Sequence, residues 1–188
     1  MNLLYRIFLK IHTLWQHFYD KAYIEICKQR GMKVGKNVVF IKAPDLGSEP
    51  YLIEIGDRTK ITAGCSFINH DGAMYTIRSM EKYKDARNFA RIKIGRNCFV
   101  GNNSTFLPGA QMGDNCILGA GSVLNSSMPD NSVYAGVPAK FICTIEEYGD
   151  KALQNNVMYP RELELNRPKL DAYIKEHLPH TYKPVKKQ

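Results

Sequence analysis

A six-residue period in the middle of the chain constrains its fold more than any other feature. From residue 94 the sequence reads IGRNCF, VGNNST, FLPGAQ, MGDNCI, LGAGSV and LNSSMP, and an earlier run from residue 55 reads IGDRTK, ITAGCS and FINHDG. The units from residue 94 begin with the large apolar residues Ile94, Val100, Phe106, Met112, Leu118 and Leu124. Their fifth positions hold Cys98, Ser104, Ala110, Cys116, Ser122 and Met128, which are small until the last. This period fits neither an amphipathic helix nor an alternating strand.

Each unit is therefore expected to turn the chain by a fixed angle and to place one large and one small residue inward. The Gly, Asn and Asp residues between them suit tight turns. Stacked units bury a continuous core that no single unit could form, as in solenoid proteins. The sequence predicts an all-β core, a parallel β-helix over residues 32–143, flanked by residues 1–31 and by a partly helical extension, residues 144–188.

The first thirty residues predict an amphipathic helix, because apolar residues recur at steps of three and four through residues 2–30 and Gly31 follows. In one interpretation this helix caps the first coil or contacts another subunit, since the ends of a solenoid must be covered. In the other it makes weak contact with a membrane surface, with Trp15 and basic residues at the lipid.

Composition narrows the function classes. The net charge of +8 is spread along the chain, and there is no polybasic segment or nucleic-acid-binding motif, so no nucleic-acid partner is expected. Arg6 and Lys10 interrupt the apolar start, which therefore does not predict a secretory signal peptide. Five cysteines without a CxxC pair indicate reduced thiols in a cytoplasmic protein. The membrane interpretation of the N-terminal helix would make this protein peripheral at the inner face of the membrane.

The period stops after FINHDG and resumes near Arg91, so residues 73–91 predict a loop inserted into the solenoid. Solenoid proteins place binding loops at such insertions, and this one follows His70, the only histidine of the repeats. Asp71 occupies a fifth position, where neighbouring units have small residues. A carboxylate there must find a partner or leave the pattern, and such departures mark functional or strained sites.

The repeats, together with NSVYAGVPAK at 131–140, resemble the hexapeptide-repeat (isoleucine-patch) acyltransferase superfamily. INHDG followed by a loop with Tyr75 and Arg78 resembles its bacterial polysaccharide O-acetyltransferase branch. The resemblance implies a left-handed β-helix with three hexapeptides per turn, a homotrimer, acetyl-CoA as cosubstrate and a carbohydrate acceptor. It implies no metal: the γ-type carbonic anhydrases of this fold need three histidines around zinc, and the repeats have one.

The resemblance also assigns site residues. His70 is the expected general base, because an imidazole can take the proton of an alcohol as its oxygen attacks a thioester. Asp71 is the expected orienting acid, with Asp85 as the alternative. Tyr75 and Arg78 are expected to contact the substrate.

Acetyl-CoA is expected along the groove between two neighbouring solenoids. The residues that match the family's donor site are Asn102, Ala120, Asn125 and Lys140. Lys140 would meet a coenzyme phosphate. Many relatives carry a second basic residue three positions later, whereas this chain has Cys143 there, a side chain without a positive charge for a phosphate.

Three functions stay open at this point. The first is direct transfer of acetyl from acetyl-CoA to a sugar hydroxyl in surface polysaccharide biosynthesis. The second is a xenobiotic or amino-sugar acetyltransferase of the same fold, and the third is a non-catalytic trimeric solenoid. A cysteine nucleophile is disfavoured, because Cys65, Cys98 and Cys116 occupy the small fifth positions and buried, apolar thiols are inert.

Overall fold

The structure, a computed structural model, describes residues 3–155 and 158–177. The first two residues of the predicted N-terminal segment, and residues 178–188 of the predicted C-terminal extension, lie outside this description. The chain divides into two compact units, with the boundary after Ile145.

The first unit contains one long helix, a few short helical segments and short strands. Its helices are α1 (Leu3–Gln29) and α2 (Met74–Ile77), with 3-10 turns at Pro50–Leu52 and Glu81–Tyr83. In chain order the strands are β1 (Lys33–Val34), β2 (Val39–Phe40), β3 (Ile53–Ile55), β4 (Lys60–Ile61), β5 (Ser66–Phe67), β6 (Ile92–Ile94), β7 (Phe99–Val100), β8 (Thr105–Phe106), β9 (Gln111–Met112), β10 (Ile117–Leu118), β11 (Val123–Leu124), β12 (Ser127–Met128), β13 (Ser132–Ala135) and β14 (Lys140–Thr144).

These strands form three sheets, one along each side of the coil. Their orders are β1-β3-β6-β9-β12, β14-β13-β10-β7-β4-β2 and β11-β8-β5. Every pair between successive coils is parallel, and β14 returns antiparallel to β13. The predicted parallel β-helix is confirmed.

The register between strands shows why the sequence period works. Partner residues in the regular coils are eighteen positions apart, for example Ile94 with Met112 and Val100 with Leu118. Eighteen residues are three hexapeptides, so each hexapeptide forms one side of a three-sided coil. The inserted loop lengthens one coil, which is why Ile55 pairs with Ile94.

The first and fifth positions of the repeats form the core. The first-position rings of Phe67 and Phe106 stack at 4.7 Å between centroids. Small fifth-position residues leave room for hydrogen bonds to the backbone, and the buried Ser104 Oγ donates to Gly101 O at 2.8 Å. The two kinds of position therefore fill the coil without leaving buried hydroxyls unpaired.

One corner of the coil is built from asparagines. Asn97, Asn115 and Asn131 have φ between 55° and 58°, the left-handed conformation that asparagine tolerates better than most residues. Their side chains form a ladder, with Nδ2 of Asn97 donating to Asn115 Oδ1 and Nδ2 of Asn115 donating to Asn131 Oδ1, each at 2.9 Å. The repeated asparagine thus provides both the turn and a bond between coils.

The cysteines of the coil belong to the core. Cys65, Cys98 and Cys116 are buried and unoxidised. Burial raises the pKa of the Cys65 thiol, and the hydrogen bond with Cys116 together with burial raises the pKa of Cys98. This environment favours neutral, unreactive thiols at both positions.

Helix α1 packs on the solenoid only near its C-terminal end. Ile24 and Cys27 are buried there in the same core as Met32 and Leu46. Residues 3–19, by contrast, are almost all exposed. The helix therefore covers the first coil with its last turns only. No helix within residues 3–155 and 158–177 is long and apolar enough to cross a membrane.

The second unit lies in the predicted C-terminal extension. Helix α3 (Ile145–Asn155) begins at the boundary, and a 3-10 turn (Arg161–Leu165) precedes α4 (Arg167–His177). The Tyr173 hydroxyl of α4 donates to Met158 O at 3.2 Å, which ties this helix to the segment before the turn.

Candidate active site

His70 lies three residues after β5, where the chain leaves the solenoid and enters the inserted loop. Its Nδ1 is 2.8 Å from Oε2 of Glu49, whose side chain is 16% exposed against 41% for His70. A carboxylate bonded to Nδ1 favours a proton on that nitrogen and leaves Nε2 as the acceptor. The pair therefore has the arrangement of a general base with an orienting acid.

Glu49, rather than Asp71, is the acidic partner of His70. Oδ1 of Asp71 accepts a hydrogen bond from the backbone N–H of Ala73 at 2.9 Å, which closes a turn at the start of the loop. Asp85, the alternative, lies exposed within the loop. In this structure the carboxylate bonded to the imidazole is therefore that of Glu49, whereas that of Asp71 is bonded to the local turn, and a catalytic role for Asp71 stays a prediction.

The sequence contains one signal that points to the segment of Glu49, because the hexapeptides VGKNVV from residue 34 and IGDRTK from residue 55 begin twenty-one positions apart. Lys33 pairs with Glu54 and Val34 with Ile55, twenty-one positions apart where the regular coils have eighteen. Three extra residues are therefore accommodated in this coil, and Glu49 lies in the irregular segment between β2 and β3. An interrupted coil beside the histidine's coil was the place to search for its partner.

Asn69 holds the Glu49 segment beside the histidine. It is fully buried, and its Nδ2 donates to Leu46 O at 3.2 Å and to Glu49 O at 3.0 Å. Its Oδ1 is buried without a hydrogen-bond partner among the described residues, which costs free energy. The Asn69 amide thus holds the backbone of Glu49 beside the segment that carries His70.

The end of the inserted loop holds the other side of His70. His70 and Phe89 form an antiparallel bridge, and their rings lie 5.7 Å apart. Asp71 N donates to Asn88 O at 2.9 Å, and Ala90 N donates to Asn69 O at 3.0 Å. Three segments of the chain therefore position the imidazole, a requirement for efficient proton transfer.

A depression of about 530 Å³ lies beside the imidazole, within the size range of small-molecule sites. It is lined by Ile68, His70, Asp71, Gly72, Asn88, Leu107, Pro108 and Asn125. Asn125, predicted to contact the donor, therefore shares this depression with His70. Tyr75 is 81% exposed, and Arg78 uses its Nε to donate to Met74 O at 3.2 Å within the loop. Neither is among the residues that line this depression.

Two further predicted donor residues meet at one corner of consecutive coils. Gly121 N donates to Asn102 O at 2.8 Å, next to Ala120. The coils approach so closely that a Cβ on Gly101 would lie 2.4 Å from Ala120 N. The backbone groups of Asn102 and Ala120 therefore form one surface.

Lys140 is brought beside this corner by β14. It pairs with Ala135, and a Cβ on Gly119 would lie 2.8 Å from the Cβ of Ala135. The Lys140 side chain is exposed, as a group that meets a coenzyme phosphate must be. The predicted donor residues thus fall into two places, three at this corner and Asn125 beside His70.

The coil, the imidazole–carboxylate pair and the inserted loop together define a β-helix acyltransferase, and comparisons with known proteins agree. Residues 91–126 match the family described as bacterial transferase hexapeptide (six repeats). The chain is 43% identical over 145 residues to protein CapG of Staphylococcus aureus, a match that covers 76% of this chain and 83% of CapG. This chain belongs to the bacterial hexapeptide-repeat acyltransferases.

Two other similarities are more limited. Over 51 residues the chain is 47% identical to WbbJ of Escherichia coli, provisionally named a lipopolysaccharide biosynthesis O-acetyl transferase, covering 27% of this chain and 26% of WbbJ. The solved structure of a hexapeptide-repeat-containing acetyltransferase from Vibrio cholerae superimposes with a TM-score of 0.52 and 16% identity, covering 67% of this chain and 81% of that one. The second similarity supports the fold alone.

Proposed function

We propose that this acyltransferase transfers an acetyl group from acetyl-CoA to a sugar hydroxyl in surface polysaccharide biosynthesis. The observation that carries the proposal is the His70–Glu49 pair, held at 2.8 Å beside a depression of small-molecule size. Similarity to WbbJ, whose name includes O-acetyl transfer in lipopolysaccharide biosynthesis, supports the acceptor class.

The proposed reaction uses the two atoms that the pair presents. Nε2 of His70 takes the proton of the acceptor hydroxyl as its oxygen attacks the thioester carbon, while Glu49 holds the ring and stabilises the imidazolium. The tetrahedral oxyanion takes a backbone N–H donor from a coil turn such as that at Asn102. When the carbon–sulfur bond breaks, the coenzyme thiolate leaves and takes from His70 the proton that came from the acceptor hydroxyl. Because the cysteines of the coil are buried, transfer is direct, within a ternary complex.

An acceptor panel tests this proposal. The protein is incubated with acetyl-CoA and either neutral sugars, amino sugars or small amine drugs, and release of coenzyme thiol is measured. Turnover on sugar hydroxyls supports the proposal, whereas turnover confined to amines identifies a xenobiotic or amino-sugar acetyltransferase. Absence of acetyl-CoA binding in calorimetry would leave a non-catalytic solenoid.

Lys140 provides a test of the donor site. Lys140→Ala is expected to raise the KM for acetyl-CoA about tenfold or more, because a hydrogen bond to a charged group contributes roughly 1.5–3 kcal/mol. The KM for the acceptor should change little. The matched control is Lys93→Ala, which removes an exposed lysine from β6 in a different sheet. If the acceptor KM rises and the acetyl-CoA KM does not, the assigned donor site is wrong.

We also infer that the coil is left-handed and that the protein is a cyclic homotrimer, as family members usually are. A single solenoid presents flat sides, so burial of a thioester needs a second wall. A neighbouring subunit can provide this wall, and the threefold axis closes the contacts.

Mixed trimers test the shared site. One chain carries His70→Ala and lacks the general base. The other carries substitutions of both Asn102 and Lys140 and is assayed at an acetyl-CoA concentration well below its raised KM, where it turns over slowly. If each site uses His70 of one subunit and the donor corner of the next, mixing should restore part of the activity, measured as thiol release after co-refolding. Full activity at a dilution where the measured mass is that of a monomer would contradict this arrangement.

A further inference from the structure

The first part of α1 carries a large exposed apolar surface that the solenoid does not use. In residues 3–19 the side chains of Leu3, Ile7, Phe8, Ile11, Leu14, Trp15 and Phe18 are all largely exposed. Trp15 is 66% and Ile11 61% exposed. Contiguous apolar surface of this kind marks an interaction site, whereas scattered apolar residues do not.

These side chains lie on one face of the helix. At 100° per residue they fall within an arc of about 140°, which we call the apolar arc. On the same rotation Lys10 lies about 20° beyond one edge of the apolar arc, and Arg6 lies about 60° beyond that edge. The segment from residue 3 to 19 contains no Asp or Glu, so its charge is positive.

The apolar arc points away from the solenoid. Ile24 and Cys27, which pack into the core of the coil, lie about 140° and 160° around the helix axis from Ile11. A straight helix anchored by these two residues therefore turns its apolar arc outward.

We propose that residues 3–19 bind the surface of an anionic lipid bilayer, with the apolar arc inserted among the acyl chains and Arg6 and Lys10 at the headgroups. Helices with a wide apolar face, aromatic residues and basic flanks lie in the plane of the interface. The positive charge of the segment complements anionic lipid, and Trp15 has the amphipathic ring that favours this depth.

A second copy of the same helix is a poorer occupant. A coiled-coil seam uses a narrow stripe, whereas the apolar arc is about 140° wide. Neighbouring copies would also place Arg6 and Lys10 near the same residues of another chain, and residues 3–19 offer no carboxylate to pair with them.

Fluorescence of Trp15, the only tryptophan, reports insertion directly. The full-length protein is mixed with vesicles of phosphatidylcholine alone or with phosphatidylglycerol added, and the emission maximum and co-flotation are measured. We expect a blue shift and flotation with the anionic vesicles, and weaker binding when salt is raised.

Matched variants of the helix locate the contact. Ile11→Gln should weaken vesicle binding about tenfold or more, because it removes an inserted apolar side chain. Leu9→Gln makes the same kind of change at an exposed residue of α1 that lies about 160° around the helix axis from Ile11. This variant should bind vesicles nearly as the parent does. Absence of binding to anionic vesicles, equal loss in both variants, or equal binding to both lipid compositions would each overturn the proposal. The proposal would also be overturned if the parent did not bind vesicles and the Ile11→Gln variant formed an assembly of lower mass in ultracentrifugation. That result would assign the apolar arc to a subunit contact.

Discussion

His70→Ala should lower kcat by at least about a hundredfold, the usual contribution of a positioned general base. The imidazole lies at the edge of the coil, 41% exposed, outside the stacked core. Its removal therefore leaves no core cavity, and the melting temperature and the assembly mass should stay close to those of the parent. Steady-state thiol release at saturating acetyl-CoA, together with thermal unfolding, measures both quantities.

The matched control is His17→Ala, which removes an exposed histidine from α1 far along the chain from the inserted loop. We expect it to retain the parent's kcat. A His70→Ala variant that keeps most of its activity would remove His70 from the mechanism, whereas a large drop in melting temperature would assign it a structural role.

The coil could be predicted from the sequence because its signal is local and repeated. Each hexapeptide carries its own inward pair of one large and one small residue, such as Phe106 with Ala110, and the next unit has the same kind of pair in Met112 with Cys116. The register of eighteen, seen in Ile94 with Met112, follows once three units complete a turn. One hexapeptide that departs from the pattern would not have altered this prediction, because its neighbours carry the same signal.

The partner of His70 could not be found in the same way, because it comes from another coil. Adjacency along the chain favoured Asp71, yet neighbouring residues of an extended segment point to opposite faces. Asp71 instead bonds to Ala73 N, while Glu49 reaches the imidazole from twenty-one positions earlier. A pairing between irregular segments has no period. The lengthened first coil marks the segment in which to search, but the folded structure is needed to identify Glu49 within it.

The N-terminal helix was similarly predictable in extent but not in placement. Its apolar period indicated that one face is covered, and capping of the first coil was the simplest cover. The structure shows that only the last turns of α1 cover the first coil, through Ile24 and Cys27, and that the apolar arc stays outside. Periodicity identifies a face that avoids water, but it carries no information about the surface that covers that face.

Glu49→Gln should lower kcat about a hundredfold or more, with little change in the KM for acetyl-CoA. The amide removes the charge that stabilises the imidazolium, and its NH₂ group can donate to Nδ1, which would place the ring proton on Nε2. In that tautomer Nε2 can no longer accept a proton from the acceptor hydroxyl. Steady-state kinetics with each substrate varied in turn separates this loss of kcat from a change in binding.

Asp71→Asn is the matched control, since it makes the same change from acid to amide beside the same histidine. The loss of kcat should be much smaller, because the carboxylate of Asp71 caps the turn at Ala73 and an asparagine oxygen can accept the same hydrogen bond. Glu49→Ala adds a third measurement: it cannot impose the wrong tautomer, so it should be no more damaging than Glu49→Gln. If Asp71→Asn were the more harmful of the two amide variants, the hydrogen bond between Glu49 and His70 would not be the one that catalysis uses.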